Sequence, residues 1–278
     1  MKNSYKFFAV GLVSLMGVSF VSCSDDDDPK GPEVEGPSIE NVFTEGLPSA
    51  VDGATFTTNE KGQLTKIVDG TSSITFEYGT FTPSRATNNF SVLMKERDSS
   101  YPDEGSDIYM KINKQGFVSY AYQVYLDGDE ADEWWFEYNK DGQLTRLKRT
   151  ESGDDFKIIY TNGDITKVTH DEKDGDHREY TIKYTNTEYK NVVANKGSLM
   201  LFDDFFEVDM DEMGEAYFAG LLGKATKNLP MGYSETGKEG SSSYTYNETY
   251  HWVFNADNLP VKFWKGDYEN EATTFSWK

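Results

Sequence analysis

Cys23 carries the one thiol of the sequence, and it stands directly before Ser24 and the four aspartates Asp25, Asp26, Asp27 and Asp28. Without a second cysteine there is no internal disulfide, so the chemistry open to this thiol is that of a nucleophile that can be acylated. The remaining candidates are weaker. His170 and His177 flank the acidic stretch 171–176 (DEKDGD) without the ligand spacing of a zinc site, and they and His251 are expected at the surface. That stretch and 127–133 (DGDEADE) offer carboxylate oxygens to calcium, but neither has the glycine and closing glutamate of an EF-hand loop, so both are expected to be solvated turns. Pairs of carboxylates could serve a hydrolase, yet with 48 acidic residues such pairs arise by chance. No nucleophile elbow, HExxH, P-loop or dinucleotide-binding glycine pattern occurs, so no cofactor or metal is called for. Trp135, Trp252 and Trp264 are the candidates for stacking against a ligand such as a sugar ring, with packing into the core as the competing expectation.

What precedes Cys23 assigns its role. Lys2 and Lys6 lead into residues 7–22, sixteen residues without a charge, in the order of a secretory signal. The run is shorter than the roughly 20 residues that span a bilayer comfortably. Ser22 before Cys23 resembles a bacterial lipobox, although Phe20 stands where leucine is usual. Cleavage would make the acylated cysteine the first residue, carrying several chains; each buried CH₂ contributes about 0.8 kcal/mol, and more than one chain makes the anchor stable. The partner so implied is the outer membrane, and Ser24 with Asp25–Asp28 reads as a tag for display on its exterior. Residues 23–50, with prolines at 29, 32, 37 and 48, read as a flexible linker.

The charge narrows the partners. Removing residues 1–22, which hold two lysines and no acid, takes the formal charge from −21 to −23. Nucleic acid is excluded, because phosphate backbones need basic surfaces. A glycan or a protein partner stays open.

Residues 51–278 form one β-rich domain on this reading. The phrase Asn-x-x-Gly recurs at 59–62, 113–116 and 139–142, with Asn255–Asn258 as a fourth copy and Asn162-Gly163 as a shortened one. Asn can bond its own backbone two residues on, and Gly or Asn at the fourth place accepts positive φ, so these are hairpin turns followed by a bulge. The flanking runs alternate at period two: Trp134, Phe136 and Tyr138 share a face, as do Phe156, Ile158 and Tyr160, and Val118, Tyr120, Tyr122 and Val124. The uneven spacing of the turns argues against a propeller or solenoid and for an all-β antiparallel meander, curled or closed like a barrel. One stretch departs from this. Met210, Met213, Tyr217 and Leu221 recur at helical spacing, so the pattern predicts an amphipathic helix over 209–223, capped by Asp209 with Glu212 and ended by Gly223, packed on the sheet or plugging it.

The lipobox with SDDDD, the FEYNKDGQLTRL hairpin (136–147), LLGKATKNLP (221–230) and the closing TTFSWK together resemble a Bacteroides-type surface lipoprotein family of unknown function described as having a porin-like fold. The resemblance implies a barrel-like β-structure and brings no catalytic residues. The expected function is that of a non-enzymatic, exterior-facing binding or scaffolding module. A glycan-binding accessory of a polysaccharide-uptake system is the alternative, and a carboxylate-dependent hydrolase stands behind both.

Overall fold

The computed structural model describes residues 38–83, 89–128, 131–239 and 242–278; the signal segment, Cys23, Ser24 and Asp25–Asp28 lie outside them. Sixteen strands follow one another: β1 (Ala50–Val51), β2 (Ala54–Thr58), β3 (Leu64–Asp69), β4 (Ser72–Phe81), β5 (Phe90–Asp98), β6 (Ser106–Ile112), β7 (Val118–Tyr125) and β8 (Asp132–Tyr138). Then come β9 (Leu144–Arg149), β10 (Asp155–Thr161), β11 (Asp164–Asp171), β12 (His177–Lys183), β13 (Gly232–Glu239), β14 (Ser242–Phe254), β15 (Pro260–Lys265) and β16 (Thr273–Ser276). Each pairs antiparallel with the next, and β1 pairs with β16, so the meander closes into a barrel. The body starts earlier than the expected linker boundary. Ile39, Val42 and Phe43 are buried, with the Phe43 ring 5.2 Å from that of Tyr217.

The recurring phrase works as its chemistry requires. Asn139 Oδ1 accepts from the backbone N–H groups of Asp141 and Gln143, while Gly142 takes φ 82°. Asn59, Asn113 and Asn255 repeat these bonds, and Asn258 takes φ 59° in the glycine's place. A register shift follows each of these turns. In three of them the residue left over is the Thr or Ser of the phrase, and in the fourth it is Val261; Thr65, Ser119 and Thr145 donate their hydroxyls to the carbonyls of Thr57, Lys111 and Glu137 on the partner strand. Thr166 does the same to Ile159 beyond the Asn162-Gly163 turn.

That bulge corrects one expected face. On β7 the inward residues are Val118, Ala121 and Gln123, because Ser119 is the extra residue and reverses the alternation beyond it. Tyr120, Tyr122 and Val124 therefore lie on the outer side, half-buried. The other alternations point inward as read from the sequence, with Trp134, Phe136, Phe156 and Ile158 all buried.

The connection from β12 to β13 fills the interior. It holds α1 (Phe202–Phe206) and a 3-10 turn over Asp211–Tyr217, in place of one helix over 209–223. Left-handed backbone at Glu207 and Asp211 (φ 55° and 42°) interrupts the helix at its start, and Gly220 (φ 74°) stops it before Gly223. The expected Asp209–Glu212 capping pair does not form: Met210 stands at the N-cap without a side-chain bond, and Asp209 Oδ1 accepts from the Asp211 N–H at 3.0 Å, ahead of the turn. Phe205, Phe206, Met210, Met213, Tyr217, Leu221 and Leu222 are all buried against the inner wall. The plug is thus the core, and the barrel encloses packed side chains, not an aqueous channel.

The outer wall bears ion pairs between neighbouring strands: Lys95 with Glu77 (2.6 Å), Arg146 with Asp155 (2.7 Å) and Lys157 with Asp171 (2.9 Å). In water such pairs contribute little. A lipid-facing wall would instead lose roughly 2–4 kcal/mol for each Lys or Arg at midplane, so this wall is built for water.

Candidate functional site

Because every neighbouring pair is antiparallel and follows chain order, successive connections alternate between two rims. One rim, the turn rim, collects the Asn-x-x-Gly turns after β2, β6, β8 and β14 and the Asn162-Gly163 turn after β10. Its charges are mixed, with Lys61, Lys140, Lys196, Lys224 and Lys227 interspersed among Glu60, Asp141 and Asp257. The other rim, the acidic rim, holds Asp103, Glu104, Glu151, Asp154, Asp174, Asp176, Asp267, Glu269 and Glu271 in its loops. The crest of the plug adds Asp211, whose carboxylate reaches Arg149 at the end of β9. Of the two rims, this one is the more negative.

A groove of about 420 Å³ opens on the acidic rim, within the size range of small-molecule sites. It exists because β14 outruns its neighbour. Residues Ser242–Thr249 of β14 pair with β13, whereas β15 pairs only with Tyr250–Phe254. After Lys265 the chain turns at Gly266, whose N–H donates to the Thr249 carbonyl at 2.8 Å, and this hangs Asp267 and Tyr268 beside the free length of β14. The lining is Tyr246, Glu248, Thr249, His251, Gly266, Asp267 and Tyr268. Tyr246 is 46% and Tyr268 61% exposed, large values for aromatic rings.

The polar groups of the groove are held in place. Glu248 Oε2 accepts from the Tyr246 hydroxyl at 2.6 Å, and its Oε1 accepts from the Thr249 N–H at 2.8 Å. The hydrogen bond to this carboxylate pushes the Tyr246 hydroxyl up to about 12. His251 Nδ1 sits 2.9 Å from Glu188, and its ring stacks on Trp264 with centroids 5.1 Å apart at 14°.

The three sequence-predicted tryptophans meet different fates. Trp135 is 39% exposed on the outer wall, its ring 5.7 Å from that of Tyr120 and tilted 55° to it, with Lys111 Nζ 5.4 Å from the Tyr120 ring. Trp264 is half-buried and backs the groove through His251. Trp252 is not a ligand platform: it is 3% exposed, donates Nε1–H to the Pro230 carbonyl at 2.9 Å and packs on Phe205 and Phe263. It shares the inward parity of Tyr250, while His251 points outward. Of the histidines, His170 overturns the surface expectation. It faces inward, stacked at 4.0 Å on Phe156, with Nε2 2.6 Å from Asp154.

The acidic stretch 171–176 brings Glu172, Asp174 and Asp176 within 4.8 Å of one another. Arg178 neutralises Glu172 at 2.5 Å, and Asp174 accepts from the Asp176 N–H, so the cluster is accounted for as a charged turn. The stretch 127–133 is described only in part.

At the crest, several carboxyls stand well above their ordinary range. Burial, with the Asp211 charge beside them, pushes Glu96 and Glu215 up to about 7, and burial raises Glu212 further in the same direction. Arg97 opposes the rise at Glu96. The folded state then holds protons that the unfolded chain releases above about pH 4.5, so this contribution is full below that point and declines as pH rises through 7 and beyond. Thermal unfolding should show a midpoint lower by about 5 °C at pH 8.5 than at pH 5.5, with Glu212→Gln flattening the difference. A midpoint that rises over this interval would contradict the assignment.

No family model matches the chain, and no curated protein matches it. Among solved structures it is similar to a porin-like protein from Bacteroides uniformis ATCC 8492, with a TM-score of 0.52 and 16% identity over 81% of this chain and 90% of that one. A porin-like protein from Bacteroides vulgatus ATCC 8482 aligns with a TM-score of 0.43 and 14% identity, over 84% of this chain and 99% of that one. The first likeness is one of fold: a closed sixteen-stranded antiparallel barrel, here with a packed interior and a water-facing wall.

Proposed function

We propose that the chain is a non-enzymatic lipoprotein, held in the outer membrane by acyl chains on Cys23 and displayed on the cell exterior, where its acidic rim binds or scaffolds a ligand. The observation that carries this is positional. Ser38, the first described residue, packs on Gly220, next to the stretch from which Lys224 donates to the Gly142 carbonyl of a turn-rim hairpin. The described body thus begins at the turn rim, the end opposite the groove, which favours a pose with the groove outermost. Charge favours the same pose, since the acidic rim is repelled from anionic headgroups within about 8 Å, one Debye length, while the mixed turn rim is not.

The groove favours the second reading, a glycan-binding accessory, over a hydrolase. The raised carboxyls Glu96, Glu212 and Glu215, together with Asp203, Asp204 and Asp209, do not line the groove, which is where a substrate would sit. In cells, Cys23→Ala should move the protein from the membrane to the soluble fraction and abolish acyl labelling. Alanine at Asp25–Asp28 should leave the anchor intact but protect the barrel from protease added to intact cells. Unchanged fractionation of the cysteine variant would remove the anchor from the proposal, and unchanged accessibility of the aspartate variant would remove the tag.

A further inference from the structure

We propose that the groove between the free length of β14 and the Gly266–Tyr268 turn binds a sugar ring of a neutral or amino-bearing glycan and rejects acidic glycans. The inference rests on the reading of the barrel as an exterior binding module only for where the ligand is met; the binding itself follows from the groove.

Three features converge there. Tyr246, whose ring also meets that of Tyr233 at 6.2 Å, and Tyr268 are both largely exposed and border one concavity, where an aromatic ring can meet the C–H face of a pyranose. Glu248 is fixed as an acceptor by its own neighbours, so a hydroxyl or ammonium donor meets a carboxylate that needs no reordering. Asp267 supplies a second carboxylate, and Thr249 and His251, of opposite parity to Tyr246 and Glu248 on β14, border the same groove. A polyol satisfies such a mixed lining, which a purely apolar ligand would leave unpaired.

The sign of the field supplies the selectivity. Glu248 and Asp267 line the groove, and Glu188 and Glu269 engage His251 and Lys262 at its back. A uronate or sulfate placed among them meets like charge from several directions, whereas an amino sugar gains from it. Both tyrosine rings are largely exposed, so removing either leaves the buried core intact.

The test uses the full chain purified from cells and titrated calorimetrically with a neutral oligosaccharide set, chitosan oligomers, oligogalacturonate, and two controls without a sugar ring, spermine and a lysine-rich peptide. Binding to a neutral or amino glycan is expected, with none to oligogalacturonate. Tyr268→Ala should weaken it about tenfold or more, and Glu248→Gln should reduce the preference for chitosan oligomers over neutral ones. Binding of only spermine or the peptide would overturn the sugar assignment. Equal affinity in wild type and both variants would overturn the location, and silence across the glycan set would overturn the proposal. Because the readout is on purified protein, these outcomes are separate from loss of the anchor or of surface display.

Discussion

Phe205→Ala should lower the unfolding free energy by about 3–5 kcal/mol, the cost of removing a fully buried aromatic ring from a close-packed core. Phe205 lies in α1, and its ring meets Phe263 at 4.9 Å, Trp252 at 5.2 Å and Phe206 at 6.0 Å. Its carbonyl also accepts from the Tyr250 hydroxyl at 3.1 Å, so the same residue ties the plug to the wall by backbone and by side chain. With the wall intact, the midpoint of chemical denaturation should fall while its slope stays constant, since the area exposed on unfolding is unchanged. A loss below about 1 kcal/mol would mean that the plug does not form the core.

Arg149→Met should be nearly as damaging. The Arg149 side chain is 10% exposed and Asp132 is fully buried. Its guanidinium reaches Asp132 at 2.5 Å, Asp211 at 2.6 Å and Glu151 at 2.8 Å, and lies over the Trp134 ring at 4.6 Å. Removing the cation leaves three carboxylates facing one another, one of them with no access to water, at a cost of about 3–5 kcal/mol. The two partners are not equivalent. Asp132 Oδ1 also accepts from the Thr150 hydroxyl and the Glu151 N–H, so Asp132→Asn keeps much of its hydrogen bonding and should cost less. The double variant should recover part of the loss, and simple additivity of the two single changes in denaturant titrations would show that they do not act as a pair.

The sequence disclosed some of this and concealed the rest for identifiable reasons. Asn139 with Gly142 announced a hairpin because their bonding is local. The period-two runs around Trp134 and Phe156 announced the inner face for the same reason. Ser119 shows the limit of that approach: one bulge residue exchanges the faces of β7, and its hydroxyl, repeated as Thr65 and Thr145, was the available sign. The inward parity of Trp252 was legible in the series Tyr250, Trp252, but Tyr246 belongs to the same series and is exposed, because β14 passes beyond its neighbour there. No local pattern reports where a neighbouring strand ends. The groove was missed for that reason, and Tyr268, in a turn, carries no periodicity at all. Met213 and Tyr217 mark the plug in the sequence, but their spacing is that of a continuous helix, because the left-handed backbone at Asp211 leaves no mark in composition.

The seam between β1 and β16 has a consequence for how the chain comes into being. Every other strand pairs with its neighbour in sequence, so hairpins can assemble one after another as the chain emerges. The seam joins residues such as Asp52 and Thr274, whose carboxylate and N–H meet at 2.6 Å across 222 positions. Closing so long a loop costs about 5 kcal/mol of chain entropy by simple logarithmic scaling, so it must come last, once other pairings have brought the ends together. Until the final residues are delivered, the sheet is an open ribbon with two unsatisfied margins. The strand that completes the cylinder is the last to arrive, so the barrel stays open until β16 has been made.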